Sequence, residues 1–240
     1  MRYVVSDIHG CYEEYLELIN KIELGDEDHL YILGDALDRG PEPMKVLLDL
    51  MSRQNVTYII GNHDYLFLYF ISKLGLDLSE TENMSEDDIS DFQTYLEDGG
   101  LSSIEAFIKL SEEEKEAVYN FWKEGKVYDD VIVGGKRYVL VHAGISSFSE
   151  DKALDEYDLL DFICERTDYS RRYYRDGNTY VITGHTPTMY INEDSSPNVY
   201  IGNGHIAIDC GCVYGGKLAT YCLDDGSMTY VDTKKDGDNQ

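Results

Sequence analysis

Short apolar runs alternate with amphipathic segments from the start of the chain to about residue 70. Runs at 3–5, 30–33 and 56–60 are continuous and rich in β-branched and aromatic residues, as is typical of strands buried on both faces. Between these runs, apolar side chains recur at the spacing of amphipathic helices. They are Tyr12, Tyr15, Leu16 and Ile19, then Met44, Leu47, Leu48 and Met51. This β-α-β-α-β order predicts right-handed crossovers and a sheet that is at least partly parallel.

The pattern changes between about residues 64 and 125. An apolar stretch at 66–71 leads into an acidic segment at 77–98, and further apolar residues at helical spacing follow. We therefore predict a single α/β domain of residues 1–240 with an inserted helical cap at about 64–125. After the cap, the pattern predicts a helix at 153–165 and strands at 127–133, 138–141, 180–183, 199–201, 206–209, 218–223 and 228–231.

The composition indicates a globular protein with a strongly acidic surface. The chain has 240 residues, of which 42% are hydrophobic, and a formal net charge of −27. Such a charge argues against a nucleic-acid duplex or an anionic membrane as a partner. A small phosphorylated substrate stays compatible, because bound divalent cations reverse the field locally. The five scattered cysteines, the absence of a long apolar run and a first strand that begins at once predict a cytoplasmic protein. The sequence indicates no oligomeric state.

Short segments that carry aspartate, asparagine and histidine follow the apolar runs, where α/β folds place their ligands. Carboxylate, amide and imidazole groups suit two adjacent divalent metal ions, and about three protein ligands per ion leave positions for water and phosphate. We expect Asp35 to bridge both ions with its two carboxylate oxygens. The complete predicted ligand set is Asp7, His9, Asp35, Asn62, His142 and His185.

Residues beside these ligands suit the handling of a phosphate ester. In-line attack on phosphorus requires a proton for the leaving oxygen, and His63 is placed to give it. Asp38 is expected to hold the His63 ring and keep it protonated. Arg39 follows Asp38 directly, and its guanidinium can donate two hydrogen bonds to phosphate oxygens.

A cluster of arginine and tyrosine residues at 166–175 predicts an anion-binding wall in this acidic chain. Its arginines are Arg166, Arg171, Arg172 and Arg175. Alternatively, the arginines of this segment only pair with Asp168 and Asp176 on a solvated surface.

Structural interpretations stand beside several of these assignments. His142 alone would usually be a hydrogen-bonded core histidine, and Asp38 alone could cap the helix that follows Pro41. Asp209 is expected to support the site rather than to bind metal. The acidic segment at 77–98 is expected to be a solvated helical face, with docking of a basic partner as the alternative.

Residues 7–10, 34–40 and 61–64 resemble the three signature blocks of PPP-type phosphoprotein phosphatases in the calcineurin-like metallophosphoesterase superfamily. The order of His142, of 184–187 and of the closing run at 208–216 agrees. The resemblance covers nearly the whole chain and is closest to the short bacterial branch that includes symmetrical diadenosine tetraphosphatases. It implies a four-layer αββα sandwich with the site between two sheets, and manganese or iron and zinc as cofactors.

The same resemblance implies the distribution of roles at the site. It assigns the first metal to Asp7, His9 and Asp35, and the second to Asp35, Asn62, His142 and His185. It also assigns a second phosphate-clamping arginine to Arg166. Two departures stand out. Asp64 occupies a position where many eukaryotic relatives have glutamate. Ile163, Cys164 and Glu165 precede Arg166 where bacterial relatives often carry a tryptophan, which bears on the shape of the substrate mouth.

We therefore expect a metal-dependent phosphomonoesterase of the serine/threonine protein phosphatase type. Its two divalent ions are expected to be manganese, with iron or zinc as alternatives, and its substrate a phosphorylated protein or a small phosphoester. One alternative is a symmetrical dinucleoside tetraphosphate hydrolase or another nucleotide phosphohydrolase, since the same site can cleave either substrate. An inactive phospho-binding module is the alternative outside the enzymes, but it should show loss of Asp35, Asn62, His63 or Arg39, and all four are present.

Overall fold

Two five-stranded sheets form the centre of the protein, whose computed structural model describes residues 1–73 and 85–234. The first sheet has the order β10-β9-β1-β2-β3, in which β1, β2 and β3 are parallel and β9 and β10 are antiparallel to their neighbours. Its strands are β1 (Arg2–Val5), β2 (His29–Ile32), β3 (Val56–Tyr58), β9 (Lys217–Cys222) and β10 (Met228–Asp232). Val5 pairs with Ile32 and Ile32 with Tyr58, so the three parallel strands end at the same level.

The second sheet has the order β4-β5-β6-β8-β7, with a parallel centre and antiparallel edges. Its strands are β4 (Tyr128–Val133), β5 (Lys136–Val141), β6 (Thr179–Thr183), β7 (Tyr200–Gly202) and β8 (His205–Ala207). In the parallel part, Leu140 pairs with Ile182 and Ile182 with Ile206. The parallel strands of this sheet therefore also end together.

Alternation along the strands places apolar side chains on both faces of each sheet. Val4 and Leu140 belong to the core between the two sheets, while their neighbours Val5 and Val139 face the outer layers. The outer face of the first sheet is covered by helices, and that of the second by a short helix and turns. The four-layer αββα architecture expected from the sequence is confirmed.

Within the described residues, seven α-helices complete these layers. They are α1 (Tyr12–Lys21), α2 (Pro43–Ser52), α3 (Asn62–Lys73), α4 (Glu86–Tyr95), α5 (Leu101–Ile108), α6 (Glu112–Lys123) and α7 (Leu159–Ile163). Helices α3 to α6, called the inserted helices below, lie between β3 and β4 in the chain. They pack on α2 and on one another in the same core as the first sheet. The division into one domain with a cap at about 64–125 stays a prediction.

The acidic segment predicted at 77–98 falls partly outside the described residues, since only 85–98 belong to them. In this part, Ser85 caps α4, and its hydroxyl accepts a hydrogen bond from the backbone N–H of Asp88. The carboxylate of Asp88 accepts hydrogen bonds from Tyr69 and Lys73 of α3. Asp88 therefore joins two helices rather than lying on a purely solvated face.

The predicted helix at 153–165 is wrong in its extent. Only α7 and a short 3₁₀ turn at Leu154–Glu156 are helical there. Tyr157 between them has an extended backbone, and the N–H of Asp158 donates to the carboxylate of Asp161. This capping interaction starts a new helix, and an aspartate at such a position competes with a continuous one. None of the described helices has the length and apolar composition needed to cross a membrane.

Phe67 of α3 tests how strongly the inserted helices are tied to the core. Its side chain is fully buried, and its ring lies 5.3 Å from that of Phe107 of α5 in an edge-to-face arrangement. We expect Phe67→Ala to lower the free energy of unfolding by about 3–5 kcal/mol, because it removes the ring and leaves a cavity. Urea denaturation measures the change. Ile132→Ala is the control, since Ile132 is 74% exposed, and it should change stability by less than about 0.5 kcal/mol. Equal losses in the two variants would contradict the expected packing.

Candidate metal centre and phosphate site

The six predicted metal ligands follow the carboxyl ends of five strands. Asp7 and His9 follow β1, Asp35 follows β2, and Asn62 begins α3 directly after the strand region of β3. His142 and His185 follow β5 and β6 of the second sheet. Because the parallel strands of each sheet end together, the loops from both sheets meet at one edge of the sandwich.

These loops bend sharply, with a left-handed backbone at four of the six ligands. The φ angles are 50° at Asp7, 45° at His9, 53° at Asp35 and 64° at His185. Non-glycine residues adopt this conformation rarely and at a cost in free energy, and such residues are concentrated at functional sites. Among the described residues, these four ligands with Asp38 and Arg39 make up six of the ten non-glycine residues with a positive φ.

One oxygen of Asp35 lies between imidazoles from the two halves of the molecule. Its Oδ2 atom is 3.6 Å from Nε2 of His9 and 3.5 Å from Nε2 of His142. Oδ1 of Asp7 lies 3.9 Å from the same His9 nitrogen. Metal–ligand bonds of about 2.1 Å place neighbouring ligands roughly 3.0–3.5 Å apart, so these separations are close to those of a loaded site.

The amide oxygen of Asn62 joins the other two histidines. Oδ1 of Asn62 is 2.9 Å from Nε2 of His142 and 2.8 Å from Nδ1 of His185. Two groups of three side chains, His9-Asp35-His63 and Asp35-His142-His185, have their ligand atoms within 4.8 Å of one another. The structure thus brings all six predicted ligands together around Asp35.

Backbone carbonyls orient two of the histidines for metal binding. Nδ1 of His9 lies 2.7 Å from the carbonyl oxygen of Leu37, and Nδ1 of His142 lies 2.6 Å from that of Leu33. A carbonyl oxygen can only accept, so Nδ1 carries the proton and Nε2 presents a lone pair to the site.

Protonation of the imidazoles is also disfavoured at this site. Burial lowers the pKa of His9 well below its usual value, and burial with the charge of neighbouring His142 lowers the pKa of His185 to about 3. Both rings are therefore neutral at neutral pH, which is the form that binds metals.

The buried carboxylates of Asp7, Asp35 and Asp209 lie in the same region. Burial and the neighbouring charge of Asp7 raise the pKa of both Asp35 and Asp209 well above the usual value of an aspartate. Buried like charges are costly in free energy unless cations compensate them. The donor set of aspartate, asparagine and neutral histidine therefore fits two divalent cations.

His63 and Asp38 form a buried pair beside this centre. Nδ1 of His63 lies 2.8 Å from Oδ2 of Asp38. Burial alone would lower the pKa of His63, but the charge of Asp35 and the hydrogen bond to Asp38 outweigh it and raise the pKa above the usual value. These interactions favour the imidazolium form of His63, in which Nε2 is the donor that Asp38 does not occupy.

The inserted helices hold Asp38 in place. Its second oxygen, Oδ1, accepts a hydrogen bond of 2.9 Å from the hydroxyl of Tyr95 in α4. Its backbone N–H donates to the hydroxyl of Ser103 in α5 at 2.8 Å. Asp38 is thus part of a hydrogen-bond network rather than a helix cap, and the sequence pattern gave no signal for either partner.

Arg39 and Arg166 line one cavity of about 440 Å³ together with ligands of the centre. The cavity is lined by Asp35, Arg39, Asn62, His63, Asp98, Arg166, His185, Pro187, Tyr190, Asp209 and Tyr214. Two guanidinium groups in a cavity with this donor set can neutralise a bound phosphate.

The remaining arginines of the 166–175 cluster lie elsewhere. Among the described residues that line the cavity, Arg166 is the only one from this cluster. Arg171 donates to the carbonyl oxygen of Phe148 at 3.2 Å, while Asp168 and Asp176 accept hydrogen bonds from backbone N–H groups of their own turns. The predicted anion-binding wall is therefore reduced to Arg166.

In the sequence, Asp64 is notable only as a departure from eukaryotic relatives. In the structure, its carboxylate connects the loops that carry the predicted ligands. Its Oδ2 atom accepts hydrogen bonds from the N–H groups of Asp35 at 2.8 Å and Gly61 at 3.0 Å, and from the hydroxyl of Tyr58 at 2.8 Å. The loops that carry Asp35 and Asn62 are thus joined through one carboxylate.

Comparison with known proteins agrees with this geometry. The family model described as calcineurin-like phosphoesterase matches residues 2–201. The chain belongs to the calcineurin-like phosphoesterase family. Members of this family use two divalent metal ions, and the described residues supply candidate ligand groups for them. The resemblance seen in the sequence is confirmed at this level, while the individual site roles stay predictions.

Several bacterial relatives of this phosphoesterase carry names that describe their activity. The chain is 28% identical over 248 residues to the asymmetrical bis(5'-nucleosyl)-tetraphosphatase PrpE of Oceanobacillus iheyensis, covering 91% of this chain and 86% of the relative. It is 26% identical over 240 residues to the protein of the same name from Halalkalibacterium halodurans, covering 90% and 87%. A symmetrical bis(5'-nucleosyl)-tetraphosphatase of Buchnera aphidicola is 33% identical over 118 residues, which cover 47% of this chain and 41% of the relative.

Solved structures share the fold at low sequence identity. A protein assigned provisionally as a diadenosine tetraphosphatase matches with a TM-score of 0.62 at 18% identity, covering 98% of this chain and 94% of the other. A serine/threonine phosphatase from Saccharomyces cerevisiae matches with a TM-score of 0.57 at 13% identity, covering 98% and 80%. These likenesses extend to the fold alone.

Removal of the Asp64 carboxylate should weaken metal binding without removing a ligand. We expect Asp64→Ala to lower the affinity for Mn²⁺ by about 10–100-fold, because the loops of Asp35 and Asn62 lose their shared acceptor. Titration calorimetry with Mn²⁺ measures the change. Asp64→Asn keeps one accepting oxygen and should show a smaller loss. Unchanged affinity in a folded Asp64→Ala protein would show that the loops hold their positions without this carboxylate.

Proposed function

We propose that this phosphoesterase hydrolyses phosphate monoesters of alcohols, with phosphoserine and phosphothreonine side chains as its substrate class. The observation that carries the proposal is the buried Asp38–His63 pair, 2.8 Å apart, in a cavity shared with two arginines and the Asp35 centre. This arrangement combines a proton donor, phosphate-binding groups and a metal-binding donor set.

Metal binding is assigned to the residues around Asp35. Asp7, His9 and Asp35 would hold one ion, and Asp35, Asn62, His142 and His185 the other. When bound, two divalent ions supply an activated water and polarise the phosphate. The mixed oxygen and imidazole donors suit manganese, with iron and zinc as alternatives.

The remaining residues bind the phosphate and move a proton. Arg39 and Arg166 neutralise the phosphate oxygens, because both guanidinium groups line the cavity that contains Asp35. His63 donates its Nε2 proton to the leaving oxygen, while Asp38 holds Nδ1 and fixes the orientation of the ring.

A dedicated proton donor favours an alcohol as the leaving group. A serine or threonine alkoxide is a strong base and leaves slowly unless it is protonated, whereas a polyphosphate anion is a far weaker base. Burial is outweighed by the charge of Asp35 and the Asp38 hydrogen bond, which raise the pKa of His63 above its usual value and so favour its protonated form. The pair therefore supports monoester hydrolysis more directly than cleavage of a polyphosphate.

Hydrolysis of dinucleoside polyphosphates is the second candidate function. It is favoured by the names of the two relatives that match over most of their length. Two exposed tyrosines, Tyr190 at 74% and Tyr214 at 57%, also line the cavity, and aromatic rings can stack on nucleobases.

A parallel assay separates the two candidates. The manganese-loaded protein is given a phosphoserine peptide, para-nitrophenyl phosphate and diadenosine tetraphosphate under the same conditions. We expect the highest kcat/KM with the phosphoserine peptide. A higher value with diadenosine tetraphosphate would favour the second candidate, and inactivity on all three would refute the proposed hydrolase.

Replacement of His63 should separate chemistry from metal binding. We expect His63→Asn to lower kcat on the phosphoserine peptide by about 10²–10⁴-fold, with a smaller loss on para-nitrophenyl phosphate, whose leaving group needs less protonation. Metal content should stay as in the wild type. His29→Asn is the control, because His29 contacts Thr57 at 2.8 Å and does not line the cavity. Equal losses on the two substrates would contradict the acid assignment.

Replacement of Asp35 should remove metal. We expect the wild type to carry about two ions per chain after manganese loading and Asp35→Asn to carry fewer, since the bridging carboxylate is lost. Elemental analysis of the desalted proteins measures the content. Asp225→Asn, in the turn between β9 and β10, is the control and should load as the wild type does. Full loading of Asp35→Asn would rule out a bridging role.

A further inference from the structure

Asp98 enters the catalytic cavity from the turn between α4 and α5. This turn, Leu96–Gly100, contains Gly99 with a φ of 104°, and the Gly99 carbonyl accepts a hydrogen bond of 3.0 Å from the N–H of Arg39. A Cβ atom at Gly99 would lie 2.6 Å from Cγ of Arg39, so only glycine allows this approach. This backbone hydrogen bond holds the turn against Arg39, and the turn sets the position of Asp98.

The carboxylate of Asp98 contacts both groups that handle the phosphate ester. Its oxygens lie 3.2 and 3.3 Å from Nη2 of Arg39, and Oδ2 lies 3.4 Å from Nε2 of His63. Because Asp38 occupies Nδ1 of His63, Nε2 is the nitrogen that can meet a leaving oxygen. Asp98 therefore stands beside the place where the leaving group must lie.

A second cavity of about 450 Å³ adjoins the first and shares Asp98 as its wall. Its other lining residues are Tyr65, Leu66, Tyr69, Phe70, Asp91, Thr94 and Tyr95. The described lining thus contains two carboxylates, several aromatic rings and no lysine or arginine. A leaving group that passes Asp98 therefore meets a described lining without a lysine or arginine side chain.

We propose that Asp98 is a specificity-determining residue: its carboxylate, with the cation-free cavity behind it, admits uncharged or cationic leaving groups and disfavours polyphosphate leaving groups. The inference rests on the proposed function in that it uses His63 as the proton donor. An alcohol side chain of a peptide meets no repulsion from Asp98. A nucleoside polyphosphate leaving group brings negative charge close to a fixed carboxylate, and such like-charge contacts are an effective means of rejecting a substrate.

Asp98→Asn tests this role because it removes the charge and keeps the shape. We expect the ratio of its kcat/KM for diadenosine tetraphosphate to its kcat/KM for the phosphoserine peptide or for para-nitrophenyl phosphate to rise by about tenfold over the wild-type ratio. Glu97→Gln is the matched control, since Glu97 is the neighbouring carboxylate of the same turn but lines neither cavity. It should leave all three values unchanged.

Ionic strength supplies an independent readout. In the wild type, added salt should raise the kcat/KM for diadenosine tetraphosphate relative to that for the monoesters, because salt screens the repulsion at this half-exposed carboxylate. In Asp98→Asn this relative rise should be smaller, while Glu97→Gln should behave as the wild type. A purely structural role of Asp98 would not produce this difference between the two variants.

The outcomes separate this inference from the proposed function. A parallel fall of all kcat/KM values in Asp98→Asn would show that Asp98 only positions Arg39, and would overturn the inference. An unchanged ratio between the substrates would overturn it as well. A wild type that prefers diadenosine tetraphosphate, with a ratio that shifts further in Asp98→Asn, would refute the proposed substrate class and support the role of Asp98.

Discussion

A buried carboxylate shared between the two sheets is the constraint on which the rest of the site depends. Asp35 follows a strand of the first sheet, and its Oδ2 atom lies 3.5 Å from an imidazole that follows a strand of the second. Buried carboxylates are stable only with compensating cations or donors. Asp35 therefore depends on groups from both sheets, because the imidazole of His142 reaches it from the second sheet.

The predicted metal ligands can be recognised in the sequence because the pattern that marks them is local. Polar residues such as Asp7, Asp35 and His142 follow apolar runs directly, and the ends of parallel strands share one edge of a sheet. The burial of the strands on both faces could be predicted for the same reason, since continuous apolar runs indicate it, whereas the two-sheet sandwich followed from the family resemblance. Where a prediction depended on a longer pattern, as at 153–165, a capping interaction at Asp158 broke the helix.

The residues that sequence analysis missed act across long sequence separations. Tyr95 and Ser103 hold Asp38 from positions 57 and 65 residues away, and Asp98 reaches Arg39 across 59 residues. No periodicity marks such contacts, because each depends on how the inserted helices pack on the first sheet. Asp98 belongs to the acidic segment at 77–98, for which the sequence predicts a solvated face. In the structure, Asp98 lines the catalytic cavity.

Under the proposed roles of His63 and Asp98, helix α4 and the turn after it link the rate of the reaction to the choice of substrate. Tyr95 orients the Asp38–His63 pair and also lines the second cavity, beside the leaving-group position that Asp98 borders. A change in this packing would alter the orientation of the proton donor and the environment of the leaving group together. Five of the six predicted metal ligands come from strand ends and loops of the two sheets, and Asn62 is the first residue of α3. Under the proposed role of Asp98, the helices between β3 and β4 would select between neutral and anionic leaving groups without a change in the predicted metal ligands.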